Sequence, residues 1–163
     1  MCSSDLNPAG LAGVVLLSPY FQLGFKPPAH KVVAAKLVNG WLAWLPVPSE
    51  VRIEDLTHDV QQQAATRADP LYLSIATPRW FLESTAAQEA VPSLAAHVKV
   101  PTLVAVGLQD RVASPAAGKA FYAALSVADR RLIEYPEMRH ELLNELGREA
   151  VFRDISDWIS LHL

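Results

Sequence analysis

Three short apolar runs punctuate the chain. Residues 11–17 (LAGVVLL) carry no polar side chain and run into Ser18-Pro19. Residues 102–106 (TLVAV) are entered from Pro101 and closed by Gly107, and residues 131–135 (RLIEY) stop at Pro136. Each run is short, rich in branched residues and bounded by turn formers, the pattern of strands buried in a parallel sheet. Between the second and third, Ser114 suits a helix cap and Pro115 a first helical position, with Phe121, Ala124 and Leu125 as a core-facing stripe. A last helix is predicted over residues 147–162, with Val151, Ile155, Trp158 and Ile159 on one face. Strands alternating with helices predict an α/β fold whose parallel sheet is covered on both sides.

The stretch from 21 to 92 has a different pattern and no convincing strand. Residues 31–45 read as a helix with an unusually broad apolar surface formed by Leu37, Val38, Trp41, Leu42, Trp44 and Leu45, stopped by Pro46-Val47-Pro48. A polar helix is predicted over 59–68, ended by Asp69-Pro70, and a third begins at Thr77-Pro78 and runs to about residue 89. An all-helical insert between two buried strands is how a cap is built on an α/β core. The domain reading is therefore a partial core at 11–20 and 93–163, with a helical cap at 21–92. The opening hexapeptide fits no element, and Cys-Ser-Ser-Asp-Leu is also what the end of a common sequencing adapter encodes. Residues 1–10 are accordingly read as a non-native or disordered start.

Composition narrows the classes. The chain has 163 residues, enough for one domain with a real core. Hydrophobic residues make up 51%, which argues against global disorder. Fourteen basic against seventeen acidic residues give a net charge of −3, which lacks the basic footprint of a nucleic-acid binder. One cysteine, Cys2, excludes an internal disulfide and a thiolate metal cluster. No apolar run approaches the roughly 20 residues a bilayer requires, and the N-terminus lacks the basic and apolar regions of a signal peptide. The expected location is the cytoplasm.

Two residues stand where chemistry is usually found in such folds, in loops beyond the carboxyl ends of strands. Asp110 follows the second predicted strand in Gly107-Leu108-Gln109-Asp110-Arg111-Val112, and His140 follows the third in Tyr135-Pro136-Glu137-Met138-Arg139-His140-Glu141. A histidine is the usual general base near neutral pH, and a carboxylate on its other ring nitrogen fixes the tautomer. Taken singly, an Asp in a turn is often a cap and a loop histidine often has no catalytic role. Their order, acid then histidine, is that of a hydrolase triad whose nucleophile comes first. Trp41, Trp44 and Leu45 have two readings, packing within the cap, which is favoured for the tryptophans, or the wall of an apolar ligand pocket. His30, His58 and His97 have no metal-ligand spacing, and His58-Asp59 reads as a helix start. Glu141 and Glu145 read as loop caps or shields, with a part in placing His140 as the other reading.

The local words carry a resemblance. Residues 100–112 (VPTLVAVGLQDRV) resemble the acid segment of the α/β-hydrolase superfamily. Residues 135–145 (YPEMRHELLNE) resemble the histidine segment of its monoacylglycerol lipase and lysophospholipase branch, a pattern shared by the Hydrolase_4, serine aminopeptidase S33-like group. Leu56-Thr57-His58-Asp59 and Arg67-Ala68-Asp69-Pro70-Leu71 resemble that branch's cap, and Leu16-Leu17-Ser18-Pro19 the strand after its nucleophile helix. The resemblance spans residue 11 to the C-terminus. It implies the C-terminal part of an α/β-hydrolase fold, with about three parallel strands, flanking helices and a cap. It makes Asp110 the triad acid and His140 the general base, with a lipid-like small-molecule ester as substrate and neither cofactor nor metal. Amide hydrolysis, as in an aminopeptidase, and a non-catalytic binder of an apolar ligand or partner remain the alternatives. The broad apolar face of residues 31–45 adds the expectation of transient contact with a membrane surface. One motif of the family is missing: the sequence contains no Gly-x-Ser-x-Gly elbow. Ser18 precedes a proline, Ser3 and Ser4 lack flanking glycines, and Ser114 suits a cap. The chain is therefore expected to be the later part of a longer hydrolase and to be inactive alone.

Overall fold

The computed structural model describes residues 10–163, so nearly all of the expected non-native start lies outside the described residues. Three parallel strands form the main sheet: β1 (Val14–Leu17), β4 (Thr102–Gly107) and β5 (Arg130–Tyr135), in the order β1-β4-β5. The register sets Val14 beside Thr102 and Thr102 beside Arg130, so the strands start level and their carboxyl ends fall together. All six residues of β4 are buried, as a central strand covered on both faces demands. On one face Val104 and Val106 pack with Val91 and Ala95 of α3 (Pro78–Ala95), and with Phe121 of α4 (Pro115–Ala124) and Leu125 just beyond it. On the other, Ala105 packs with Tyr135, Met138, Leu142 and Val151, the last from α5 (Arg148–Ser160). The result is three layers, helix–sheet–helix, as the alternating pattern predicts.

Local chemistry explains the helix ends. Ser114 caps α4, its hydroxyl accepting from Ala117 N–H, and Pro115 occupies the first turn. Asp59 caps α2 (Val60–Ala68) by accepting from Gln61 and Gln62 N–H, and Thr77 caps α3 by accepting from Trp80 N–H. Gly147 precedes α5 at φ +79°, a conformation suited to glycine.

Three expectations for the segment between β1 and β4 are corrected. It is not all helical: β2 (Val47–Pro48) pairs antiparallel with β3 (Ile75–Ala76). Two-residue strands are too short to leave a period in the sequence. The helix expected over 31–45 is α1 (Ala29–Leu42), so Trp44 and Leu45 lie beyond it. Pro46 disfavours helical geometry at the residue before it, and the chain turns out toward β2. The helix expected to stop near residue 89 continues through Pro92, because Val91 and Ala95 are buried against β4 and that packing outweighs the missing N–H. The division drawn between residues 92 and 93 falls inside this helix.

Candidate functional site

The site grows from the carboxyl ends of β4 and β5. Leu108 N–H donates to Tyr135 O at 2.9 Å and Gln109 N–H to Met138 O at 3.0 Å, so the loops after the two strands are pinned together. Gly107 makes this approach feasible: a Cβ there would lie 2.4 Å from both Met138 O and Arg139 O. Asp110, three residues on, is almost fully buried. One carboxylate oxygen accepts from Val112 N–H at 2.7 Å and Ala113 N–H at 2.9 Å. The other lies 2.9 Å from His140 Nδ1. A carboxylate only accepts, so His140 carries its proton on Nδ1 and leaves Nε2 unprotonated when the ring is neutral. The structure therefore brings together the acid and the histidine that the sequence singles out, 30 residues apart, as an ordered carboxylate–imidazole pair.

The cap segment is stitched to both loops. Leu23 bridges to Ala113, Gly24 N–H donates to Val112 O, and Ser114 N–H donates to Gln22 O. Farther on, Glu141 N–H donates to Leu56 O at 2.8 Å and Thr57 Oγ1 to Asn144 O at 2.9 Å. Asp55 receives a two-pronged contact from Arg52 at 2.9 and 3.0 Å and faces Arg111 at 4.0 Å. These guanidinium groups join in holding its carboxyl below the ordinary range, the Arg52 hydrogen bonds being the largest cause.

An apolar cavity of about 340 Å³ lies within the cap, with Tyr20, Leu23, Phe25, Val38, Leu45 and Trp80 among its walls. Its charged members, Lys31 and Glu50, are half exposed and hydrogen-bond each other. Leu23 connects this cavity to the acid loop through its bridge to Ala113. Of the three apolar residues singled out from the sequence, only Leu45 lines the cavity. Trp41 is 89% exposed and Trp44 72% exposed, so neither packs within the cap nor forms the wall. The sequence periodicity shows that α1 is apolar on a broad surface but not which part of it faces inward. Tyr20 and Trp80, whose rings stack at 6.4 Å, supply aromatic walls of the cavity instead. They come from a strand-end loop and the first turn of α3, which no local pattern relates.

His58 also departs from expectation. It is not merely a helix start: its Nδ1 lies 2.8 Å from Glu145, whose side chain is fully buried. Ser18, at the end of β1, adopts φ +42°, and its buried hydroxyl finds no partner among the described residues, His140 included. Among the described residues no group of three or more His, Cys, Asp or Glu side chains is placed to hold a metal ion. No helix among them is long and apolar enough to cross a membrane.

Comparison with known proteins places this geometry. The profile of the Hydrolase_4 family, described as serine aminopeptidase, S33, matches residues 3–147. A monoacylglycerol lipase of Mycolicibacterium smegmatis is 27% identical over 133 residues, covering 81% of this chain and 47% of that protein. Phospholipase YtpA of Bacillus subtilis is 28% identical over 145 residues, covering 88% of this chain and 56% of that protein. The chain thus spans about half the length of these relatives. Among solved structures, the monoacylglycerol lipase of Paleococcus ferrophilus superposes with a TM-score of 0.88 at 22% identity, over 98% of this chain and 63% of that one. A monoglyceride lipase of Saccharomyces cerevisiae, solved with a substrate analog, superposes at 0.78 and 18% identity, over 93% and 56%. The match across most of the sequence, on a parallel sheet with the same architecture, shows that this chain belongs to the Hydrolase_4 (serine aminopeptidase S33) family of the α/β-hydrolases.

Proposed function

We propose that this chain supplies the acid–base half of a serine hydrolase acting on lipid carboxylic esters of the monoacylglycerol or lysophospholipid kind. The observation that carries the reading is the Asp110–His140 pair, seated at the carboxyl ends of adjacent parallel strands. Its nucleophile would come from a Gly-x-Ser-x-Gly segment that this sequence does not contain. In that mechanism His140 Nε2 takes the serine proton as the hydroxyl oxygen attacks the ester carbonyl. His140 then returns the proton to the leaving alcohol, and a water repeats the sequence to free the acid. Asp110 holds the imidazole in the required tautomer and stabilises its charged form. The apolar cavity, one of whose lining residues, Leu23, pairs with Ala113 of the acid loop, suits an acyl chain. A carboxylate free to hold a substrate amine would favour an aminopeptidase, but Glu50 in that cavity is already paired with Lys31.

Contact with a membrane surface during substrate capture extends the same reading. No residue of α1 is buried, and Leu37 and Trp41 stand 75% and 89% exposed on it. Indole rings favour the interface between water and lipid.

The test starts with the purified chain and p-nitrophenyl esters of several acyl lengths. The expected result is no hydrolysis, since loss of the serine alone costs a triad on the order of a million-fold in turnover. Hydrolysis by the chain alone that disappears in His140→Ala would overturn the missing-nucleophile reading. Fusing the chain to the Gly-x-Ser-x-Gly-bearing N-terminal part of a family relative is expected to give esterase activity that His140→Ala abolishes. Turnover of aminoacyl anilides in preference to esters by that fusion would transfer the assignment to amide hydrolysis.

A further inference from the structure

Glu145 is a fully buried carboxylate that the proposed triad chemistry does not use. Three backbone N–H groups and one ring nitrogen converge on it: Arg139 N–H at 3.0 Å, Leu146 N–H at 2.9 Å, His58 N–H at 3.0 Å and His58 Nδ1 at 2.8 Å. The backbone N–H groups donate to both of its oxygens, which suits the acceptor-only, ionised form, and toward that form His58 Nδ1 is the donor. Burial pushes the Glu145 carboxyl up. The hydrogen bonds from Arg139, His58 and Leu146 outweigh that and hold it below its ordinary value. Two donors belong to the loop between β5 and α5 and two to residue 58, 87 positions away in the cap segment.

The placement of these donors around His140 gives the carboxylate its meaning. The peptide joining Met138 to Arg139 is gripped at both ends. Its C=O accepts from Gln109 N–H of the acid loop, and its N–H donates to Glu145. The next residue is His140. The residue after that, Glu141, donates its N–H to Leu56 O, in the same cap segment that Glu145 holds through His58. His140 is thus bracketed by two fixed N–H groups, one on a buried charge and one on the cap backbone. We infer that Glu145 is a positioning residue for His140, and that through His58 it makes the cap segment at 56–58 part of the same support. This rests on the reading of His140 as the general base paired with Asp110. Glutamine in place of Glu145 would keep one acceptor oxygen and turn the other into a donor facing N–H groups, leaving part of the bracket unmade.

The test uses the chain itself, labelled with 15N, and reads two signals. One is the Nδ1–H resonance of His140 with its pH titration; the other is hydrogen exchange at the Arg139 amide. A role confined to stability would lower the melting temperature and leave the His140 resonance in place. In Glu145→Gln the expected result is a broadened or lost Nδ1–H resonance and Arg139 exchange faster by roughly tenfold or more, the scale of one lost hydrogen bond to a charged group. His58→Ala removes one donor from a partly exposed side chain, and is expected to move both signals in the same direction by less. If Glu145→Gln does not fold, His58→Ala carries the test. Unaltered His140 resonance and Arg139 exchange in the folded variants would overturn the inference. Asp110→Asn is the separating control. If it leaves the His140 resonance unmoved, the Asp110–His140 reading fails and takes this inference with it. If it alters the resonance while Glu145→Gln and His58→Ala leave both the resonance and Arg139 exchange unmoved, the inference alone fails.

Discussion

At the scale of single residues, the site depends on groups with two tasks. Asp110 orients His140 with one oxygen and satisfies two buried backbone N–H groups with the other. Asp110→Ala orphans both N–H groups and is expected to cost about 1–3 kcal/mol of stability in urea unfolding. Asp110→Asn retains an acceptor for them and should cost clearly less, while still disrupting the partnership with His140. Gly107 is the second such position. A methyl group there meets two carbonyl oxygens of the histidine loop at 2.4 Å. Gly107→Ala should lose about 1–3 kcal/mol by overpacking, read from the denaturation midpoint, and should shift the His140 Nδ1–H resonance as the loops move apart. The pairing of Asp110 with His140 is legible in the sequence because residue type, order and the preceding strands coincide. The tight approach at Gly107 and the buried charge of Glu145 are not, because both depend on residues distant along the chain.

At the scale of elements, capping signals translate directly into structure. Ser114 and Pro115 open α4 where the pattern predicts, because a cap and its N–H partners lie within one turn. Ser114→Ala should therefore lose about 1 kcal/mol in thermal or urea unfolding and leave the His140 resonance unmoved. Helix α1 shows the opposite case. Its apolar surface is evident, but its orientation is set by what packs against it, and Trp41 and the following Trp44 end outside. Replacing both with serine is expected to change stability by no more than about 0.5 kcal/mol, as for exposed positions. Under the proposed surface contact, the same double variant should bind phospholipid vesicles more weakly than the parent chain in co-sedimentation. Equal binding would remove α1 from that role. The β2–β3 ladder and the passage of α3 through Pro92 were invisible for a related reason. Tertiary packing, not local preference, decides both.

At the scale of the whole molecule, buried and paired carboxylates set the response to acid. Asp55 and Glu145 both sit below their ordinary values in the folded chain, Asp55 chiefly through Arg52 and Glu145 because its hydrogen bonds outweigh burial. A depressed carboxyl binds fewer protons folded than unfolded, so its stabilisation is complete above the ordinary value and is lost as pH falls through the lower folded value. For Glu145 the ordinary value is 4.5, so the melting temperature should decline as pH drops from about there. That decline should be shallower in Glu145→Gln, which has no carboxyl to protonate. An identical acid slope would show that Glu145 does not contribute to it.

The amino-acid sequence by itself determined the layers. Buried parallel strands need unbroken apolar runs, helices between them need caps and stripes, and both signals are local. It also determined which acid and which histidine follow adjacent strands. Only the tertiary structure decided which aromatic groups wall the cavity. Only it showed that the peptide before His140 is clasped between the acid loop and a buried Glu145, and that His58 draws the cap into that clasp. These contacts join positions tens of residues apart, and neither hydrophobic period nor residue type constrains a pairing at that separation.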